Sequence, residues 1–489
     1  MYVPSDEKPI IKEEKKTHWL SIYIAALLSF VGSVQFALYF SALWPYMQIL
    51  DPDMDESFYG YTVALYSVGQ IIISPFFGWW SNKIKAVSPP LCFGLFLMLT
   101  GNIFYIIMEV VDFPKRFMLL LVRFVTGMGS GNVAILRSYA STASTSEDRT
   151  KAIAWVTCGQ ALGLTSGPLF QLVFTALEHP GIRFFNMFSF SLYTAPAYVA
   201  CMINITGLIL VKFFFQEEYA GVEEDGSTSD VEQAPAKKPF VPPYDVIAVW
   251  ICYATRFTDM FVRTNLETLG SPFAMMMFNL KEELAVRYMS IAQGIVGVMT
   301  MATYAAYIFL KLERWVPLRS GTIIALAGMA LFHILTFSWP FLPSIHTITN
   351  GTDKAVGCNT ERFSWCEQLD QVNVWVFFLS YTIVIGLTFP LMQITLNTLF
   401  SKILGPRRQG SEQGWLQVSS AVGRMIGPIG ASKLYQSNGP RPKNGAVEGG
   451  SDAFTKMFNF DDFKFGQLAE LVDSLHTRTD TKDLSVHNR

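Results

Sequence analysis

Eleven separate runs of about 20 apolar residues, each long enough to cross a hydrocarbon core about 30 Å thick, take up roughly half the chain. They fall at about 20–49, 58–80, 89–111, 115–139, 150–177, 190–215, 244–278, 285–311, 318–342, 372–400 and 411–435. A backbone inside a bilayer has to satisfy its own hydrogen bonds, so runs of this length read as the helices of an all-α polytopic membrane protein. Composition agrees, with 51% hydrophobic and 16% charged residues against roughly 25% charged in soluble domains. A net charge of −2, with no basic patch interleaved with aromatic rings, argues against a nucleic-acid partner. There is no GxSxG, HExxH, P-loop or strand-linked GxGxxG, and the six His are scattered, so neither an enzyme nor a cofactor or metal site is expected.

Residues 1–19 carry Lys8, Lys12, Lys15 and Lys16 before a run too long for a signal peptide, and read as a tail held on the cytoplasmic side. Six spans over 20–215 form a first bundle. Residues 216–243, rich in Glu and Pro, form a disordered cytoplasmic linker, 244–435 hold five further spans, and 436–489 are a polar, disordered tail. Loops on the N-terminal side carry Lys83, Lys85, Arg149, Lys151, Arg314, Arg407 and Arg408, whereas the opposite side opens with Asp51, Asp53 and Asp55, so the positive-inside rule places the N-terminus in the cytoplasm. The 343–371 loop then lies outside or in a lumen. There Asn350-Gly351-Thr352 is an N-glycosylation sequon, and Cys358 and Cys366 are candidates for a loop-closing disulfide, with free thiols as the alternative. A second sequon at Asn204 falls inside a span and is expected to stay unmodified. Cys92, Cys158, Cys201 and Cys252 lie in apolar runs and read as small hydrophobes.

An internal repeat accompanies the two sets of spans. Trp155, Gly163, Gly167 and Pro168 in the fifth span are matched 260 positions later by Trp415, Gly423, Gly427 and Pro428 in the eleventh. Small residues at this spacing let helices approach closely, and a Gly-Pro step allows a kink or hinge. Helix packing is the main expected role of these glycines.

With this duplication the chain resembles the major facilitator superfamily, whose fold is two six-helix halves around a central cavity. Arg123-Phe-Val-Thr-Gly127-Met-Gly129-Ser-Gly131 looks like its fourth-helix motif, and Gly159 to Pro168 like its fifth-helix glycine-proline motif. Gly78 to Lys85 occupies the loop between helices two and three, with Asn82 where the superfamily carries an aspartate. Arg123 to Arg149, Ser401 to Leu416 and Glu267-Thr268-Leu269 with Pro272 resemble more narrowly a lysosomal, ceroid-lipofuscinosis branch of the superfamily. That resemblance covers about residues 20–435 and implies a lysosomal or endosomal membrane protein with a transport or ion-conducting role. In keeping with that address, Asp6, Ile10 and Ile11 resemble an acidic dileucine-type sorting signal, for which sorting adaptors are the partners. The superfamily has a twelfth helix, yet the chain after Tyr435 turns polar, so eleven spans with the twelfth missing or truncated are expected, as in a splice variant, a misassigned exon or a shortened isoform.

Charge inside a span costs about 2.5–3.5 kcal/mol at a helix centre and marks functional candidates. Arg256, Asp259, Arg263 and Glu267, spaced by three, four and four, line one face of span seven, with Asn265 nearby. Helix seven lines the cavity in the superfamily, so this stripe is expected to meet a charged solute or a coupling proton. Mutual neutralisation of the four is an equally good reading. Glu267 is the preferred proton carrier, Arg123 a candidate anion receptor, and Gln35 and Gln160 weaker candidates that could simply bridge helices. Arg137, Glu147, Asp148 and Arg149 suit a gate between helices, or an ordinary solvated loop. Three functions compete: a carrier working by alternating access, with an anion or zwitterion favoured and proton coupling open; a passive chloride or anion channel; and a transport-inactive sensor or scaffold.

Overall fold

The computed structural model describes residues 16–51, 56–111, 113–174, 177, 181–184, 188–222, 244–280, 282–339, 341–345, 347–348, 358–360, 365–366 and 369–438. The sorting-signal residues Asp6, Ile10 and Ile11, the sequon residue Asn350, most of the linker (223–243) and the tail beyond 438 lie outside them.

Each apolar run forms a long helix, as the hydrogen-bonding constraint of a bilayer requires. The first half contains α1 (Trp19–Leu50), α2 (Glu56–Ile84), α3 (Ser88–Ile107), α4 (Lys115–Gly129), α5 (Asn132–Ala143), α6 (Arg149–Phe174) and α7 (Ala195–Phe213). Span four is the pair α4 and α5, broken at Ser130-Gly131. A short antiparallel hairpin, β1 (Ile182–Phe184) with β2 (Phe188–Phe190), precedes α7, so the sixth helix begins five residues later than the apolar run. The second half contains α8 (Val246–Phe278), α9 (Glu282–Phe309), α10 (Leu318–Leu335), α11 (Val374–Ser380), α12 (Gly386–Leu404) and α13 (Gly410–Asn438). A π-turn over Tyr381–Ile385 joins α11 to α12 into one span; such turns frequently sit at functional sites. Among the described residues, eight spans are long and apolar enough to cross a membrane by length and composition. The other three long helices, α6, α8 and α13, are more polar because they pack among their neighbours.

The 260-residue offset has a direct structural meaning. A β-carbon at Gly163 would collide with Phe30 O, and one at Gly167 with Ala37, so α6 lies tight against α1. In the second half a β-carbon at Gly423 would come within 2.8 Å of Phe257 O, and one at Gly427 within 3.1 Å of Asn265 Oδ1, so α13 lies against α8 in the same way. The two glycine pairs thus seat the equivalent helix pair in each half.

Between the halves, α13 packs along α2 and against α5, and α6 packs on α9 and α12. Near the face where α1 begins, Gly410 N donates to Asn82 Oδ1 and Asn82 Nδ2 donates to Ser411 Oγ, both at 3.0 Å. Asn82 therefore ties α2 to the start of α13 with neutral hydrogen bonds. Ala154, Tyr304, Tyr307, Ile308 and Ile394 form an apolar cluster across the halves close by. The first residues of the linker are ordered: Gly221 N donates to Thr142 O, and Glu217 caps the start of α3 through Val87 N and Ser88 N. On the opposite face, Cys358 and Cys366 form a disulfide, packed with Trp365, Leu369 and Ile345.

Candidate functional site

A polar interior follows from the three less apolar helices. A cavity of about 50 Å³ is walled by α1, α2, α3, α5 and α6 of the first half and by Gln417 and Arg424 of α13 from the second. Gln35, Gln70, Gln160, Tyr66 and Asn132 are among its walls. A smaller space of about 10 Å³ adjoins it and shares Gln35, Phe36, Tyr66 and Met98 with it. Arg123 lines the smaller space, buried, with its guanidinium 5.4 Å from the centre of the Tyr39 ring.

Gln35 is held in a bonded network. Its Oε1 accepts from Asn204 Nδ2 at 3.0 Å and Asn102 Nδ2 at 3.3 Å, joining α1, α7 and α3, while Tyr39 OH donates to Asn102 Oδ1. Asn204, the span sequon residue, is wholly buried in that network.

The charged stripe of α8 divides into two pairs in different surroundings. Arg256 and Asp259 are 1% and 0% exposed, 3.4 Å apart, and both bond Gln393 of α12, with Gln393 Nε2 donating to Asp259 Oδ2 at 2.6 Å. Asp259 Oδ1 and Arg256 Nε have no partner. Arg263 and Glu267 pair at 3.1 Å and are 29% and 46% exposed, with the Arg263 guanidinium over the Phe389 ring. Asn265 lies half-buried beside Gly427, its Oδ1 unpartnered.

Arg137 is 1% exposed and reaches across the halves to Gln417, leaving its Nε and Nη1 unpartnered. Arg149, at the start of α6, is buried with Nε unpartnered, and Asp148 accepts from Thr17 Oγ1 at 2.8 Å. Among the described residues, no ion pair joins Arg137 or Arg149 to Glu147 or Asp148.

Sequence reasoning passed over Arg424 and the amides Gln70, Asn132, Gln393 and Gln417. Arg424 was open to detection, being a charge within a span and the next residue after Gly423 of the repeat. Its guanidinium lies 5.2 Å from the Phe36 ring of the other half, and within electrostatic reach of Tyr66, Glu267 and Arg263. It thus connects the α8 stripe to the cavity. Among the described residues, Arg123, Arg137, Arg256, Arg263 and Arg424 lie within the spans together with the carboxylates Asp259 and Glu267, while Arg149 and Glu412 lie at the starts of α6 and α13.

The profile of the Major Facilitator Superfamily matches residues 25–353. The chain belongs to that superfamily. Major facilitator superfamily domain-containing protein 8 of Xenopus laevis is 29% identical to it over 463 residues, 88% of each chain. Among solved structures of superfamily transporters, the human organic anion transporter MFSD10 superposes with a TM-score of 0.60 at 14% identity, covering 87% of this chain and 95% of that one. The Escherichia coli fucose:proton symporter FucP does so with a TM-score of 0.56 at 14% identity, covering 87% and 94%. At these identities the structural likeness establishes the fold. The superfamily fold and the family match together make the chain a multi-pass membrane transport protein.

Proposed function

We propose that this transporter carries a small organic anion across a lysosomal membrane by alternating access, coupled to a proton held at Glu267. The observation that carries this reading is that two adjoining interior spaces, the larger walled by both halves, each carry one arginine and no carboxylate among their described lining residues. Guanidinium groups withdrawn from water need anionic or polar partners, and Arg424 and Arg123 stand on the walls of the two adjoining spaces. An anion seated there would touch both halves, so that its binding and release depend on how they rock. The closure through Asn82, Gly410 and the Ala154–Ile394 cluster favours a gated carrier over a standing pore.

The lysosomal address rests on the likeness to the ceroid-lipofuscinosis branch and on the Asp6, Ile10, Ile11 signal read by sorting adaptors. An N-terminus in the cytoplasm and a glycosylated Asn350 in the lumen accord with the Cys358–Cys366 disulfide on the face opposite α1's start. The solved neighbours include an organic anion transporter and a proton symporter, which suits both the cargo class and the coupling.

The test is uptake by purified protein in liposomes under an imposed pH gradient, over a panel of organic anions and neutral solutes. Saturable anion uptake with counterflow, lost in Arg424→Gln, is expected. Uptake confined to neutral solutes and unchanged in Arg424→Gln would sink the reading, and anion current without counterflow would make it a channel.

A further inference from the structure

The residues that follow α7 run across the helix ends of the first half, on the face where α1 begins. Phe215 packs on Tyr139 with ring centres 4.6 Å apart, and Gln216 O accepts from Tyr139 OH at 3.0 Å and from Ser21 Oγ at 2.8 Å. Glu217 caps α3 and accepts from Tyr219 OH at 2.5 Å. Gly221 sits where α5 ends and α6 begins. Its N–H donates to Thr142 O at 2.9 Å, and a β-carbon there would collide with Ser144 O and come within 3.2 Å of Arg149 Nη2. Val222 is buried. Residues 215–222 are thus a strap seated on α1, α3, α5 and α6, all of the first half.

Tyr219 of the strap meets the other half. The Arg408 guanidinium lies 4.4 Å from the centre of its ring and within hydrogen-bonding reach of its hydroxyl. Arg408 belongs to the 405–409 loop between α12 and α13, which is tied to the second half by Gln409 Nε2 donating to Ser401 O at 2.9 Å and Gly405 O at 3.1 Å. The preceding residue, Arg407, stacks at 4.8 Å on Tyr244, where the chain enters the second half. Two neighbouring arginines are therefore met by tyrosines from opposite ends of the linker. The Arg407 stack lies within the second half, whereas the Arg408 stack joins the halves.

We propose that Tyr219 is a clasp on the closure between the halves: its ring holds Arg408 while the face where α1 begins is shut, and lets go when the halves part there. This rests on the alternating-access reading and is independent of the cargo. Rotation of one half against the other carries Arg407 and Tyr244 together, but draws Arg408 away from a ring fixed to the first half. A cation over an aromatic face gains strength as water is withdrawn from it, and both Tyr219 and Arg408 are half-buried. The clasp thus adds to the Asn82–Gly410 and Arg137–Gln417 bonds and biases the protein toward closure.

A cysteine at Ser138, buried on α5 next to Arg137, tests this in the whole purified protein through its rate of labelling by a water-soluble thiol reagent, read at that residue by mass spectrometry. Tyr219→Leu and Arg408→Gln should each raise the rate about threefold or more, and the double variant no further than either alone. Tyr219→Phe keeps the aromatic face and should stay nearer the wild type than Tyr219→Leu. Tyr244→Leu should leave the rate unchanged, because its stack does not join the halves. Arg408→Gln, on the other half, decides alone if Tyr219→Leu fails to fold. Unchanged labelling in Arg408→Gln, rises that multiply in the double variant, an equal rise in Tyr244→Leu, or equal rises in Tyr219→Phe and Tyr219→Leu would each overturn the clasp. Alternating access stands in those cases if Arg137→Gln speeds labelling. A Ser138 cysteine that reacts in none of the proteins overturns both.

Discussion

Arg137 Nη2 of α5 donates to Gln417 Oε1 of α13 at 2.5 Å, a buried hydrogen bond that crosses from one half to the other. Gln417 is also part of the cavity wall, so this bond lies between the cavity and the face where α1 begins. Arg256 and Arg424 are within electrostatic reach of Arg137, which makes the closure a balance between one charged hydrogen bond and repulsion among cations.

Arg137→Gln is therefore expected to loosen the closure. A hydrogen bond to a charged group is worth about 1.5–3 kcal/mol, so the open population should change by roughly tenfold or more if that bond forms only in the closed state. A cysteine placed at Ser138, buried beside it, should then label faster with a membrane-impermeant thiol reagent. Unchanged labelling would show that the bond does not gate.

The paired glycines and Gly294 make opposite predictions for the same substitution. Gly423→Ala pushes a β-carbon against Phe257 O and should cost about 1–3 kcal/mol through overpacking, and Gly163→Ala should do the same in the first half. Gly294, in α9, has open space around its missing β-carbon. Gly294→Ala should stabilise the helix by about 0.5–1 kcal/mol. Thermal unfolding in detergent gives both signs.

Much of this was legible in the residues and some of it was not. The spans were readable because a bilayer demands long apolar helices, and the duplication because close packing favours glycine at Gly163, Gly167 and Gly423, with Gly427 completing the repeat. The division of the α8 stripe was not readable: a spacing of three and four places residues on one face, but whether they are buried depends on Gln393, more than 130 positions away. Gln70 and Asn132 were hidden for a related reason, since an amide in a span looks alike whether it bridges helices or faces a cavity. The β1–β2 hairpin, which falls almost wholly between the fifth and sixth runs, escaped because strands of three residues are too short to show an alternating pattern.

The loop disulfide should support one face of the second half. Bridging Cys358 to Cys366 closes a short loop, worth about 2–3 kcal/mol on chain-entropy grounds, and it packs with Trp365 and Leu369. Cys358→Ser, or reduction of the wild type, should lower the melting temperature, and the reductant should not lower it further in the variant. Equal melting with and without reductant in the wild type would show that the bridge adds nothing.

Acid should loosen the linker's attachment through Glu217. Burial pushes its carboxyl up, but bonds from Ser88, Tyr219 and the Val87 and Ser88 backbone outweigh this and hold it below its ordinary 4.5. A depressed carboxyl contributes stability that is present above pH 4.5 and lost as pH falls through its lower, folded value. The melting temperature of Glu217→Gln should start lower, by the equivalent of about 1 kcal/mol for a partly exposed group. It should also fall less steeply than the wild type on acidification below pH 4.5. Parallel curves would remove Glu217 from the acid response.

The two carboxylates of α8 should separate into a transport group and a structural one. Glu267 is 46% exposed, paired with Arg263 and within electrostatic reach of Arg424, so its charge is open to water and coupled to the cavity. Glu267→Gln should flatten the pH dependence of uptake while leaving folding nearly intact, since an exposed i,i+4 pair is worth only about 0.3–0.5 kcal/mol. Asp259 is sealed between Arg256 and Gln393. Asp259→Asn leaves the Arg256 charge buried without its counter-ion, which should cost about 3–5 kcal/mol and show first as lost expression and a lower melting temperature. Retained pH dependence in Glu267→Gln, with a stable Asp259→Asn protein whose uptake no longer responds to pH, would exchange the two roles.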